Sequence, residues 1–206
     1  KQKPPALILK TSTSSTSIID RERVLAKIES IKKTVKGGRI ANIYLLHGEI
    51  SDEEVNLLYN HPKVKVMVSH TKGEGFGRPL AEFATTGKPI IVSGWSGHMD
   101  FIDRDLSTVI GGTLEKVHPS SVLKDMIITE ATWFVPSDSD TSKAFQKTFK
   151  HYKDCLPGAK KQRRKILDEF TFDKMVGSLD IILDKNIPDF PKQIDLVLPK
   201  LELPKL

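Results

Sequence analysis

A chain of 206 residues, 38% apolar and 28% charged, has enough material for one good core or two small ones and folds without covalent staples. Its single cysteine, Cys155, excludes an intramolecular disulfide and a cysteine-based zinc cluster, and fits a reducing compartment. The formal net charge of +6 invites an anionic partner. Runs such as PIIV and ALIL fall far short of the roughly 20 residues of a membrane span, and the start KQKPPALILK lacks the apolar centre of a signal peptide. The expectation is a soluble, cytoplasmic protein, and a first residue other than methionine suggests a processed or partial product.

In chain order, Ala6 to Lys10 reads as a strand and TSTSSTS as a hydroxyl-rich loop able to cap the next element. A helix opens at Asp20. In RERVLAKIESIKKTV the apolar positions Val24, Leu25, Ile28, Ile31 and Val35 keep helical spacing, and KGG ends the run. ANIYLLHG is a buried strand. Ser51 followed by Asp52, Glu53 and Glu54 starts a second helix with acids at the positive end of its dipole, and His61-Pro62 stops it. A strand from Val64 to Ser69 runs into the turn GEGFGRP. Pro79 suits the first position of a third helix, Gly87 suits its stop, and Pro89 to Val92 is a fourth short strand.

Four strands alternating with three helices predict parallel βαβ units with right-handed crossovers. The fold class is α/β, a Rossmann-like parallel sheet with helices on both faces and ligands beyond the carboxyl ends of the strands. Further on, WSGHMDFIDRD reads as a loop or short helix, STVIGG as a strand, and ATWFVPSDSD as a strand or extended segment. Helices are expected from Asp140 to Tyr152 and from Ala159 toward Leu183, the second broken around Phe170-Thr171. From Ile187 the prolines Pro188, Pro191, Pro199 and Pro204 predict an extended arm. Residues 1–186 then form the domain and residues 187–206 a tail.

The chemistry concentrates in GEGFGRPLAEFATTGKPIIV, residues 73–92. Where a strand hands over to a helix, unpaired backbone N–H groups and the helix dipole favour an anion, usually phosphate, and glycines let the backbone approach it. Arg78 stands where a dinucleotide fingerprint needs glycine, and no Lys-Ser or Lys-Thr follows the last glycine as in a Walker loop. Glu74 lies in the loop and Glu82 in the early helix. An ionised carboxylate accepts two hydrogen bonds side by side, which matches the paired hydroxyls of a ribose or hexose. By spacing alone Glu82 fits equally well on the solvent face of a helix whose core face holds Leu80, Phe83 and Ala84, and Glu74 fits an ordinary polar loop.

Over more than thirty residues, SHTKGEGFGRPLAEFATTGKPIIVSGWSGHMDFI resembles the donor-site signature of the group 1 glycosyltransferases of GT-B fold. That signature has two acids separated by seven residues, GFG after the first, and a small residue, Lys or Thr and Pro at the helix end. Here they are Glu74, Gly75-Phe76-Gly77, Glu82 and Gly87-Lys88-Pro89. The likeness extends more weakly to NIYLLHGEISDEEVNLLYNH and to the closing helices. It implies one half of a GT-B fold, the donor-binding part of an enzyme that moves a hexose from a nucleoside-diphosphate sugar to an acceptor hydroxyl. On this resemblance Glu74 is the catalytic residue, on the hydroxyls of the transferred sugar. The backbone of Gly75, Phe76 and Gly77 approaches sugar and diphosphate, Arg78 and Lys72 add positive charge, and Glu82 holds the ribose. His47-Gly48 lines the base pocket, and Gly97 and His98 belong to a loop over the donor sugar. His47 also reads as a strand-end histidine with a local hydrogen bond, and WSGHMDFI as an ordinary loop around a buried tryptophan.

The resemblance implies no metal and no cofactor, because positive side chains and a helix dipole stabilise the departing diphosphate. The acid pairs DRD at Asp103 and DSD at Asp138 lie outside the signature and read as loops. A preceding acceptor domain and a first βα unit of the family are missing from this chain, which alone is expected to be inactive. The basic run GAKKQRRK, residues 158–165, suits peripheral contact with an anionic membrane. Lacking interleaved aromatics, it does not predict specific nucleic-acid recognition. The alternative is a non-catalytic nucleotide-sugar or nucleic-acid binding module.

Overall fold

Parallel strands cannot be joined by a hairpin, so each parallel pair here needs a crossover connection. The computed structural model describes residues 5–11, 16–36 and 40–188, and the chain divides into two units, Lys1–Val64 and Lys65–Leu206. In the first unit β1 (Ala6–Lys10) pairs in parallel with β2 (Asn42–Leu46), Ala6 opposite Asn42 and Lys10 opposite Leu46. The crossover α1 (Ile18–Thr34) is capped by Ser17, whose hydroxyl accepts the Asp20 N–H at 3.2 Å, so the helix starts ahead of the expected Asp20. Val24 is buried, but Ile31 and Val35 are exposed. Within this unit a two-stranded sheet, with strands about 4.8 Å apart, is too narrow to cover the whole apolar stripe of such a helix. The next helix, α2 (Asp52–Asn60), opens with a complete capping box. Ser51 Oγ accepts the Glu54 N–H at 3.2 Å, and Glu54 Oε2 accepts the Ser51 N–H at 2.8 Å. It stops at His61, ahead of Pro62, as the sequence predicts.

The second unit holds the three-stranded parallel sheet β3 (Met67–Ser69), β4 (Ile90–Ser93) and β5 (Thr108–Ile110), with β4 in the middle. Its β3 begins later than the expected Val64, because the chain is still turning there and the Val64 N–H bonds to His61 O at 3.0 Å. The crossover α3 (Arg78–Ala84) buries Leu80, Phe83 and Ala84, the face that its periodicity predicts. The four successive residues of β4 are 2%, 2%, 0% and 0% exposed. Since their side chains alternate between faces, both faces of the sheet are covered there.

STVIGG is not one strand. The chain leaves the parallel sheet after Ile110, and Gly112 opens β6 (Gly112–Lys116), which pairs antiparallel with β7 (Thr132–Pro136). Three helices come next: α4 (Asp138–Lys150), α5 (Tyr152–Glu169) and α6 (Phe172–Asn186). DSD at Asp138 lies in the first turn of α4, capped by Ser137, rather than in a loop. The sequence suggests a start for α5 at Ala159, but the helix begins at Tyr152 and runs through Pro157. A proline that near the helix start removes only one backbone bond. The break at Phe170-Thr171 is as expected, and Thr171 Oγ1 caps α6 by accepting the Lys174 N–H at 3.3 Å. Of the tail, all but Ile187 and Pro188 lies outside the described residues. Among the described residues no helix is long and apolar enough to cross a membrane.

One polar side chain ties α5 to the segment after β4. Gln162, 1% exposed, accepts the Asp103 N–H at 2.8 Å and donates to Phe101 O at 2.7 Å. Replacing it by the similarly sized leucine orphans both backbone groups, at about 1–3 kcal/mol for each one left buried. The variant Gln162→Leu is expected to lower the urea midpoint with the slope unchanged, as read by circular dichroism. An unaltered midpoint contradicts this role.

Candidate functional site

Two loops meet beyond the carboxyl ends of β3 and β4. The first carries Gly73 to Gly77. The second carries Gly94 to Ser96 and leads into a short 3-10 turn, Gly97–Asp100. Ser96 Oγ accepts the Glu74 N–H at 2.8 Å and donates to Glu74 O at 2.6 Å, and the Gly97 N–H donates to the same carbonyl at 2.9 Å. A hydroxyl can do both at once. A Cβ on Gly97 would run into the carbonyl of Gly75, so only glycine permits this approach. Ser96 itself has φ 89° and ψ −176°, a region populated essentially by glycine, at a cost of about 1–3 kcal/mol for other residues. That strained serine is what fixes the backbone of Glu74.

Glu74 is half-buried. A Cβ on Gly77 would stand 3.2 Å from Glu74 Cγ and 3.1 Å from His98 Cβ, so the acid lies against the mouth of α3. Gly77 caps that helix with φ 88° and no side-chain hydrogen bond, a left-handed conformation that suits glycine. Phe76 turns its ring onto Phe101 at 5.0 Å and Phe170 at 6.5 Å between centroids, which anchors the loop through packing. Arg78 Nε pairs with Glu82 Oε1 at 3.2 Å, the two side chains being 78% and 42% exposed. Such an i,i+4 surface pair is worth about 0.3–0.5 kcal/mol and opens cheaply.

Glu74, Gly75, Gly77, Gly97 and His98 are thus brought together, with Glu82 one turn into α3 and bonded to Arg78. The His98 imidazole is wholly buried. Its Nε2–H donates to Ser93 O at 2.7 Å, and Nδ1 has no hydrogen-bond partner among the described residues. His47 and Gly48 belong to the first unit, where His47 Nε2 lies 2.7 Å from Oδ2 of the buried Asp20. The hydrogen bond read for His47 from the sequence is thus present, but its partner is distant in sequence rather than local.

Several contributors escape sequence reasoning. The β6–β7 ribbon adjoins the first loop, since the Phe134 N–H donates to Lys72 O at 3.0 Å. Lys72 Nζ sits 4.8 Å above the Trp133 ring, and Trp95 stacks on Phe134 at 6.5 Å and 9°. His70 stacks on Phe145, and burial pushes its pKa below the ordinary histidine value. Ser96 gives no sequence signal beyond a hydroxyl beside a glycine. Asp103 Oδ1 accepts the Asp105 N–H at 2.8 Å, a local turn. In the basic run, Lys160, Arg163 and Arg164 line a shallow concavity of about 260 Å³ with Leu167, while Ala159 and Gln162 face the core.

No protein-family model matches the chain, and no curated protein matches it. Among solved structures it is similar to sucrose-phosphate synthase from Thermosynechococcus elongatus. The TM-score is 0.60 and the identity 15%, over 87% of this chain and 38% of that one. A likeness at that identity carries the fold: parallel sheets flanked by helices, similar to a GT-B glycosyltransferase domain. The chain spans 38% of the length of that structure.

The strained serine yields opposite expectations for two small substitutions. Ser96→Ala keeps the unfavourable backbone and loses both bonds to Glu74, so it is expected to melt lower than the parent. Ser96→Gly loses the same bonds but releases about 1–3 kcal/mol of strain and is expected to melt above Ser96→Ala. Equal melting points for the two variants in differential scanning calorimetry contradict the strain.

Proposed function

We propose that this chain is the donor-binding part of a group 1 GT-B glycosyltransferase, which transfers a hexose from a nucleoside-diphosphate sugar to an acceptor hydroxyl. The observation that carries the proposal is the position of Glu74. The first acid of the signature is held from both sides of its peptide by Ser96 and Gly97, beside a helix mouth that no side chain caps. The resemblance of residues 69–102 to the donor signature and the GT-B-like fold support it. A backbone strain sustained for one loop carboxylate also fits a ligand site better than a packing site.

In this reading Glu74 accepts hydrogen bonds from hydroxyls of the transferred sugar. The N–H groups of Gly75, Phe76 and Gly77, with the peptide dipoles at the start of α3, face the diphosphate. The Arg78–Glu82 pair then serves as a latch. When the donor arrives, the guanidinium turns to the diphosphate and the freed carboxylate takes the ribose diol. Each partner exchanges a weak surface contact for a charge-assisted one. As the bond between sugar and diphosphate breaks, negative charge grows on the leaving oxygen, where these donors already point. Gly97 and the backbone of His98 close the sugar side. Transfer itself belongs to the complete protein, with an acceptor-binding half.

A ligand that binds only the native state raises its melting point. At a hundredfold excess over Kd the gain is about 2.7 kcal/mol, or roughly 5–10 °C for a chain of this size. UDP-, GDP- and ADP-glucose are the panel, and one is expected to produce this shift. Glu74→Ala is expected to weaken the nucleotide sugar but not the bare nucleoside diphosphate, and Glu82→Ala to weaken both. The reading fails if no nucleotide sugar raises the melting point, or if neither substitution changes the rise.

A further inference from the structure

The chain has two tryptophans, and both lie against the candidate site. Trp95 immediately precedes Ser96, the residue that pins Glu74. Its indole stacks nearly parallel on the buried ring of Phe134, at 9° between planes, yet remains 45% exposed. Phe134 belongs to β7, whose backbone bonds to Lys72, two residues before Glu74. The next side chain along the strand, Trp133, points to the opposite face and is covered by the Lys72 ammonium. An exposed indole is thus fixed in orientation by a phenyl ring behind it and by a ribbon hydrogen-bonded to the signature loop. Arg104 Nη2 donates to Gly94 O at 3.0 Å, which puts an exposed guanidinium with spare N–H donors beside the same loop.

A flat, pre-positioned aromatic surface, with a guanidinium anchored on the adjacent residue of the same loop, offers the two kinds of contact that a sugar ring takes. The C–H face of the ring packs on the indole, and the hydroxyls at its edge meet the donors. Because Trp95 already stands in place, little side-chain freedom is lost on binding. Its position decides which sugar. Trp95 is next to the residue holding Glu74, at the end of the donor where the hexose is expected, whereas the ribose falls to Glu82, one turn into α3. We infer that Trp95, backed by Phe134 and flanked by Arg104, is a platform for the ring of a saccharide acceptor. The identification of that saccharide as the acceptor rests on the transferase reading above. The β6–β7 ribbon is then a specificity element, which sets the platform through Phe134.

Intrinsic tryptophan fluorescence reports directly on this surface. The full chain is titrated with maltose, cellobiose and N,N′-diacetylchitobiose, with glycerol as the polyol control. At least one disaccharide is expected to give a saturable emission change that glycerol does not. The response is expected to vanish in Trp95→Ala, read from the remaining Trp133, and to weaken about tenfold in Arg104→Ala. In Trp95→Phe, which preserves an aromatic surface and guards against a folding defect, thermal shift with the same disaccharide is expected to retain binding. The inference is overturned if no disaccharide changes the emission, or if Trp95→Ala titrates like the parent. Its failure is distinguishable from that of the transferase reading. A melting-point rise with a nucleotide sugar and no saccharide response sinks the platform alone, whereas a saccharide response without any nucleotide-sugar shift sinks the donor reading and its acceptor assignment.

Discussion

The hydroxyl of Ser96 grips both ends of the Glu74 peptide, and to do so Ser96 holds φ at 89°, where a side chain is unwelcome. The site depends on this contact. A loop of Gly73, Gly75 and Gly77 has little intrinsic order, because glycine loses more freedom on folding than any other residue. Without an external tether its one acid would sample many directions. The second loop supplies the tether, and the missing side chain of Gly97 lets the two backbones close on each other. Order in the glycine loop is therefore borrowed from a neighbour, and the strain at Ser96 is part of the cost.

The neighbour is in turn anchored in the second unit. It leaves β4, which is buried on both faces, and continues through His98, Phe101 and Ile102, all buried. Gln162 of α5 holds the backbone at Phe101 and Asp103, and Phe101 touches Phe76 in the first loop. Phe170, at the end of α5, completes the aromatic cluster. Stability and site geometry are thus coupled through one helix. A change on the core face of α5 alters the support beneath both loops, while Lys160, Lys161, Arg163 and Arg164 stay exposed on its other side.

Much of this was legible in the sequence because it rests on local rules. Ser51 with Glu54, Thr171 after the break, and the proline at the head of α3 are cap and breaker signals read within a few residues. The alternation of short apolar runs with helical periods gave the parallel βαβ units and the fold class. What stayed hidden depends on partners distant in sequence. The pairing of β6 with β7 closes over residues 117–131, too long a connection for a hairpin signal, and the bond between His47 and Asp20 joins the end of β2 to α1. The burial of His98 comes from packing that no local pattern encodes, so its imidazole serves Ser93 rather than the loop surface. The start of α5 at Tyr152, ahead of the expected Ala159, also rests on tertiary packing, since the burial of Ala159 and Gln162 outweighs the one backbone bond lost at Pro157. Glu82 is partly exposed on α3 and paired with Arg78 of the same helix, which fits the solvent-face reading of the sequence.

The central claim is that the backbone between Glu74 and Arg78 receives the diphosphate of a nucleotide sugar. Backbone amide shifts in a nitrogen-15 correlation spectrum, recorded while a nucleoside-diphosphate glucose is added, test it most directly. The largest movements should fall on Gly75, Phe76, Gly77 and Arg78, with smaller ones at Ser96 and Gly97 through the shared hydrogen bonds. Movements confined to the basic face of α5, around Lys160 and Arg163, would instead show a ligand drawn by charge alone and would contradict the account.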